Sequence, residues 1–175
     1  RLRAEQKSAT DPGGEETRVP ASFANGRYEV KRFLGEGGKK RVYLAHDARL
    51  DRDVAFALIK TEGLDQEGLD RITREAQAMG KLGTHPHIVA VYDMGAEPSH
   101  DREGVVPGGE GQPYLVTEFM GGGDMAGLLG KAPGHRLPID LAVALAEQVC
   151  RGLEFAHGHG LVHRDLKPGN IWLTG

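Results

Sequence analysis

His163-Arg164-Asp165-Leu166-Lys167-Pro168-Gly169-Asn170 lies close to the end of a 175-residue chain, and its reading decides the fold. These eight residues hold a carboxylate, a lysine two positions later and a carboxamide five positions later. A carboxylate at Asp165 can accept a proton from a hydroxyl. An amide oxygen at Asn170 can ligate a hard divalent cation. A cation at Lys167 can steady an anionic group in transit. The bland alternative, a charged surface loop with these types by chance, is disfavoured by what surrounds the segment. Leu161-Val162 leads into it, preceded by a helical run in which Leu141, Leu145, Val149 and Leu153 make one apolar stripe to about His157. Pro138-Ile139-Asp140 supplies a helix entry. Residues 161 to 173 read as loop and strand.

Working back toward the amino terminus, the pattern changes from helical to alternating. Tyr28 to Phe33 alternates as a strand, Gly35-Glu36-Gly37-Gly38 forms a glycine-rich turn, and Val42-Tyr43-Leu44-Ala45 returns as the second arm of a hairpin. Val54 to Ile59 is an apolar run suited to a buried third strand. Leu69, Ile72, Ala76 and Met79 give a helix over 69–82, which ends before Thr84-His85-Pro86. Further strands are expected at Ile88–Tyr92 and Tyr114–Phe119, with a Gly-, Pro- and charge-rich loop over 96–112 and a hinge-like break at Gly121-Gly122-Gly123. Strands with one helix among them, followed by helices, define an α+β arrangement. The expected organisation is a flexible leader over residues 1–24, a sheet-rich small lobe with its hinge over 25–120, and the beginning of a helical large lobe over 121–175.

The segment at 163–170 matches the pattern H-R-D-x-x-x-x-N, and from about Tyr28 to Leu173 the chain resembles the bacterial protein serine/threonine kinases of the eukaryotic type. The resemblance implies ATP and Mg2+ as cofactors and serine or threonine residues of proteins as acceptors. It makes Asp165, Lys167 and Asn170 the catalytic residues, with Asn170 also a metal ligand. Lys167 is the form typical of serine/threonine rather than tyrosine kinases. Arg164 resembles the arginine that pairs with a phosphorylated activation loop. The resemblance also assigns an ATP site: Leu34, Gly35, Glu36 and Gly37 in the covering loop, Val42 and Leu34 (with Leu173) around the adenine, Thr117 at the back of the pocket, and backbone groups of Glu118 and Met120 at the adenine edge. Glu75, in Arg74-Glu75-Ala76, sits where the family's helix glutamate pairs with the phosphate-binding lysine.

Three departures from the family pattern stand out. The third glycine of G-x-G-x-x-G falls on Lys40 and the usual aromatic tip on Lys39, which creates the basic run Lys39-Lys40-Arg41. The strand lysine expected after Val54-Ala55 falls on Ala57, and the nearby lysine is Lys60, three residues later. Alternation turns Lys60 to the opposite face unless a bulge restores it, and a pairing of Lys60 with Glu75 is the expectation to be tested. Finally, the D-F-G, activation-loop and A-P-E segments would lie beyond Gly175. Both ends, Arg1 and the unfinished strand 171–175, read as cuts, so these residues alone are expected to lack turnover.

Composition narrows the remaining classes. A net charge of -3, with 39% hydrophobic and 27% charged residues, suits a globular protein and gives no basic stripe for nucleic acid. A single cysteine, Cys150, permits no internal disulfide and points to a reducing, cytoplasmic setting; on the long helix it is expected to be a small buried apolar residue. No apolar run is long enough to span a membrane. His157, His159 and His163 lie close in sequence but lack a partner that completes a familiar metal set. Two functions compete: a phosphotransferase, favoured by the intact loop at 163–170, and a pseudokinase-like nucleotide-binding or regulatory module, favoured by the altered glycine loop and displaced lysine.

Overall fold

A computed structural model describes residues 19–61, 65–97 and 111–174. Its sheet contains β1 (Ser22–Phe23), β2 (Tyr28–Glu36), β3 (Lys40–Asp47), β4 (Arg52–Ile59), β5 (Val91–Glu97) and β6 (Gln112–Glu118). All neighbours are antiparallel, in the order β1-β2-β3-β4-β6-β5. Helix α1 (Gln66–Lys81) lies between β4 and β5, and α2 (Met125–Lys131) and α3 (Ile139–Gly158) follow the sheet. This is the expected α+β order of a sheet-rich lobe leading into helices.

Alternation along the strands creates two faces with different jobs. One carries Tyr28, Tyr43, Ala45, Val54, Phe56, Leu58 and Val116, which form the buried core together with Phe23. Phe23 stacks on Phe56 at 4.2 Å between ring centroids, and Phe56 stacks on Tyr114 at 4.7 Å. The opposite face brings Val42 beside Ala57, Leu44 beside Ala55, and then Leu115 and Thr117 beside Ala57 and Ala55. No register shift interrupts β3–β4 or β4–β6, so these faces hold along the whole of β4.

The core also holds one polar cluster. Asp47 is 1% exposed and accepts from both Arg27 Nε (3.3 Å) and Nη2 (3.1 Å). Arg27 Nη1 and the Tyr28 hydroxyl both donate to Asp93 Oδ2, each at 2.6 Å. The cluster links the start of β2 to the end of β3 and to β5, which fixes how the sheet closes.

Two contacts tie the helical part to the sheet. Phe155 on α3 stacks on His85 at 4.6 Å in the turn before β5. Gly152 is buried against the same turn; a Cβ there would stand 2.7 Å from the His87 carbonyl oxygen, so only glycine permits this approach. The apolar stripe of α3 is otherwise half-open: Leu145, Val149 and Leu153 are half-buried, and Ile139, Leu141 and Val143 are exposed.

Several expectations need correction. The leader was drawn to residue 24, but Ser22 and Phe23 pair with Glu29 and Tyr28, and Phe23 enters the core; residues 1–18 lie outside the described residues. The strand expected at 88–92 runs from Val91 to Glu97, so the loop expected from 96 begins inside a strand, and its residues 98–110 lie outside the described residues. Cys150 is exposed rather than buried, because it sits on the open side of α3 beside an apolar groove lined by Met125, Leu129 and Leu166. No helix among the described residues is long and apolar enough to cross a membrane.

Candidate active site

The loop between α3 and the chain's last described residues is shaped by its own short-range bonds. The Asp165 amide donates to the His163 carbonyl at 2.8 Å, closing a three-residue turn over Arg164, whose φ is 61°. That left-handed conformation is costly for an arginine and marks a locally constrained backbone. Pro168–Asn170 then forms one 3-10 turn, with proline in its first turn where no amide is needed. The turn brings position 170 back to position 165.

The result is a compact triad. Lys167 Nζ lies 2.8 Å from Asp165 Oδ2, and Asn170 Nδ2 donates to the Asp165 carbonyl oxygen (2.8 Å) and to Oδ2 (3.0 Å). The hydrogen bond from Lys167, then that from Asn170, hold the Asp165 carboxyl below its ordinary range. Asp165 and Lys167 are both exposed, at 65% and 57% of their side chains, so the group is open to solvent.

Three backbone bonds join this loop to the segment that leaves the sheet. Gly122 N donates to Leu173 O (3.0 Å), Leu173 N to Gly123 O (2.8 Å) and Met125 N to Ile171 O (2.8 Å). Asp124, which forms an isolated bridge with Trp172, also caps α2 by accepting from Gly127 N at 2.8 Å. A Cβ on Gly122 would come within 2.7 Å of two backbone carbonyl oxygens, those of Leu173 and Thr174, so glycine is required for this close approach. Upstream, β6 brings Thr117 and Glu118 to the same junction. Glu118 N bonds to Ala90 O at 2.9 Å, and Thr117 Oγ1 donates to Glu118 O at 3.3 Å. Met120 follows two residues later, half-buried. Sequence reading did not foresee the stitching of 122–125 to 171–173, although the glycine run and the capping Asp124 both signal a turn into a helix.

The glycine hairpin stands at the far end of the sheet. Gly37 N bonds to Lys40 O at 2.9 Å, and Gly35 and Glu36 pair with Val42 and Arg41. Leu34 lies in the register shift between Phe33 and Gly35. Val42 shares its face with Ala57, Ala55 and Thr117.

Lys60 does not pair with Glu75. Its ammonium bonds to Glu36, which also receives Arg41 Nε at 3.2 Å. The uninterrupted register explains this: Lys60 keeps the parity of Phe56 and Leu58, on the face opposite Ala57, and no bulge turns it back. Lys60 N is held there by Lys39 O at 2.9 Å. The Glu36 carboxyl, held below its ordinary range first by Lys60, is thereby turned away from the Val42 face. Glu75 is exposed on α1 and makes no ion pair among the described residues.

The histidines of the last third take local partners: His159 Nδ1 bonds to the Phe155 carbonyl at 2.8 Å, and His163 Nδ1 accepts from the Asp165 amide at 3.3 Å. Among the described residues no three His, Cys, Asp or Glu side chains converge to hold a metal.

A glycine hairpin on an antiparallel sheet thus leads, through α2 and α3, to an exposed Asp–Lys–Asn loop. The chain belongs to the protein kinase family: the protein kinase domain model matches residues 28–175. It is 39% identical over 165 residues to the serine/threonine-protein kinase PksC of Streptomyces coelicolor, covering 93% of this chain and 28% of that protein. It is 36% identical over 157 residues to the DNA damage-responsive serine/threonine-protein kinase RqkA of Deinococcus radiodurans (89% and 21%). Against the serine/threonine-protein kinase PknA of Mycobacterium tuberculosis it is 40% identical over 152 residues (86% and 33%). The chain thus spans between 21% and 33% of the length of these relatives. Among solved structures, the kinase domain of Mycobacterium tuberculosis PknI superimposes with a TM-score of 0.73 at 28% identity, over 90% of this chain and 58% of that one.

Proposed function

We propose that the protein containing this chain transfers the γ-phosphoryl group of ATP to serine or threonine hydroxyls of other proteins. The observation that carries the reading is the triad in which Lys167 and Asn170 both bond to the Asp165 carboxylate, at 2.8 and 3.0 Å, on an exposed loop. Asp165 orients the acceptor hydroxyl and takes its proton as the new O–P bond forms and the bond to the departing ADP oxygen breaks. The depressed pKa of Asp165 suits a loose transition state, in which the proton moves late and positioning matters more than basicity. Lys167, already beside Asp165, neutralises charge on the moving phosphoryl group.

The donor chemistry fits Mg2+. Asn170 uses its Nδ2 to grip Asp165, which orients the Oδ1 as a hard oxygen ligand. Bound there with the phosphates, the ion would neutralise developing negative charge. ATP would lie between Val42, Leu34 and Leu173, with Thr117 behind the adenine and the backbone of Glu118 and Met120 at its edge. In this reading the small lobe and hinge run from Ser22 to residue 120, and 121–175 begin the large lobe. A cytoplasmic site of action fits a chain whose one cysteine, Cys150, is free and exposed.

The curated relatives are named serine/threonine kinases, which supports the enzyme over a purely regulatory module. The test is Asp165→Asn in the full-length protein, assayed for transfer of labelled phosphate to a generic serine/threonine substrate. Transfer should fall by about a hundred- to ten-thousandfold. Undiminished transfer would refute the assignment.

A further inference from the structure

Resting on the reading above, we infer that Lys40 is the lysine that binds the ATP phosphates in this protein, in place of the cation absent at position 57. Three observations converge. Position 57 on the Val42 face holds Ala57, which brings no charge to that face. Lys60 is on the other face and is committed to Glu36. Lys40 lies two residues before Val42 on an uninterrupted strand, so it shares the face of Val42, Leu44, Ala55 and Ala57.

Reach favours the same assignment. Val42 stands directly opposite Ala57, so Lys40 is Ala57's diagonal neighbour, with backbones roughly 7–8 Å apart. A lysine side chain spans most of that distance, and a methyl at 57 leaves the path open. Lys40 is exposed and makes no ion pair among the described residues, whereas Arg41 and Lys60 are paired with Glu36 on the opposite face; Lys39, also exposed and without an ion pair among the described residues, sits in the turn before β3. Glu36 therefore removes Arg41 and Lys60 from competition, and of the run Lys39-Lys40-Arg41 it is Lys40 that both stands on the strand face of Val42 and makes no ion pair among the described residues. The same residue displaces the third glycine of the loop, so the cost in backbone freedom is offset by a charge delivered at the hairpin's base.

The test compares ATP, ADP and adenosine binding by the full-length protein and by Lys40→Ala, Lys40→Arg and Lys60→Ala, using calorimetry in the presence of Mg2+. Lys40→Ala should weaken ATP and ADP about 10- to 100-fold and leave adenosine unchanged, because only the phosphates lose a charge-assisted bond. Lys40→Arg should retain most of the ATP affinity, and Lys60→Ala should stay within about threefold of the parent. ATP affinity unchanged in Lys40→Ala overturns the inference, as does an equal loss for adenosine, which would mean that the hairpin has merely collapsed. If the unsubstituted protein binds adenosine and ATP at equal strength, the inference also fails. If it binds none of the three, the kinase reading itself falls.

Discussion

Arg27→Ala should destabilise the sheet far more than any exposed ion-pair deletion, and the size follows from Asp47. That carboxylate is 1% exposed and takes two bonds from Arg27, with the Arg49 amide as a further donor at 3.0 Å. Burial by itself would raise its pKa; the Arg27 bond first, and the Arg49 amide next, outweigh burial and hold it below the ordinary value. Removing one partner of a buried pair costs about 3–5 kcal/mol, since an uncompensated charge remains inside. Arg27 is 22% exposed, so some water can follow the deletion, and the lower end, about 3 kcal/mol, applies. Asp93 loses a bond too, but it is 26% exposed and keeps the Tyr28 hydroxyl, so its share is small. With a urea slope of about 2 kcal/mol per molar, the midpoint should fall by about 1.5 M, followed by far-ultraviolet circular dichroism at pH 7. Arg41→Ala, which breaks an exposed pair with Glu36, should move it by no more than about 0.3 M. The sign with pH is also determined. In the parent the folded Asp47 pKa is depressed, so its stabilisation is present above the unfolded value near 4 and is lost as pH falls through the folded value. In Arg27→Ala the unpaired carboxyl is raised by burial, so protonation relieves it and the gap to the parent narrows on acidification. A midpoint for Arg27→Ala within about 0.3 M of the parent at pH 7 would refute the assignment of Asp47 as a buried charge dependent on Arg27.

Gly122→Ala should loosen the junction between the sheet and the 163–170 loop, because its Cβ would meet the Leu173 and Thr174 carbonyl oxygens at under 3 Å. The expected cost is about 1–3 kcal/mol, read from the emission of the single tryptophan, Trp172, during urea unfolding; an unchanged midpoint would argue against the stitched junction. Lys167→Ala should raise the Asp165 pKa toward its ordinary value, as the hydrogen bond that does most to lower it is lost. Carboxyl-detected NMR titration would measure it, and a pKa that stays put would show that Asn170 alone holds the carboxylate.

What could be read in the sequence was what is local. The 163–170 loop is contiguous, so its types and spacing survive without knowledge of the fold, and the bonds within it are all between residues five or fewer apart. The alternation of Tyr28 to Phe33 and the apolar run of β4 are legible for the same reason. What was missed depends on partners distant in the chain. β1 is two residues long and exists because Phe23 finds Phe56, thirty-three positions away, as a stacking surface. β5 contains Gly95 and Ala96, poor strand formers; yet a Cβ at Gly95 would sit 2.6 Å from the Tyr114 hydroxyl, so the glycine is there to admit the tyrosine of β6. α2 reads as Met-Ala-Gly-Leu-Leu-Gly-Lys, whose two glycines mask it, and only the Asp124 cap announces it.

Lys60 shows where local reading runs out in a more instructive way. Alternation alone put Lys60 on the face where the structure has it; the expected pairing with Glu75 needed a bulge, which sequence cannot exclude because bulges are set by the pairing of neighbouring strands. β2 does shift register twice, between Val30 and Arg32 and between Phe33 and Gly35, so the device is available in this sheet. It is spent on the strand carrying the glycine loop and not on β4, whose partners on both sides run unbroken. That placement follows from burial: β4 is central, with Val54 and Phe56 fully buried and Ala57 and Leu58 nearly so, and a one-residue slip would drive the whole set to the wrong face. β2, flanked on one side only by the two residues of β1, tolerates the slip. A lysine three residues late on a central strand is therefore fixed in its place by the core.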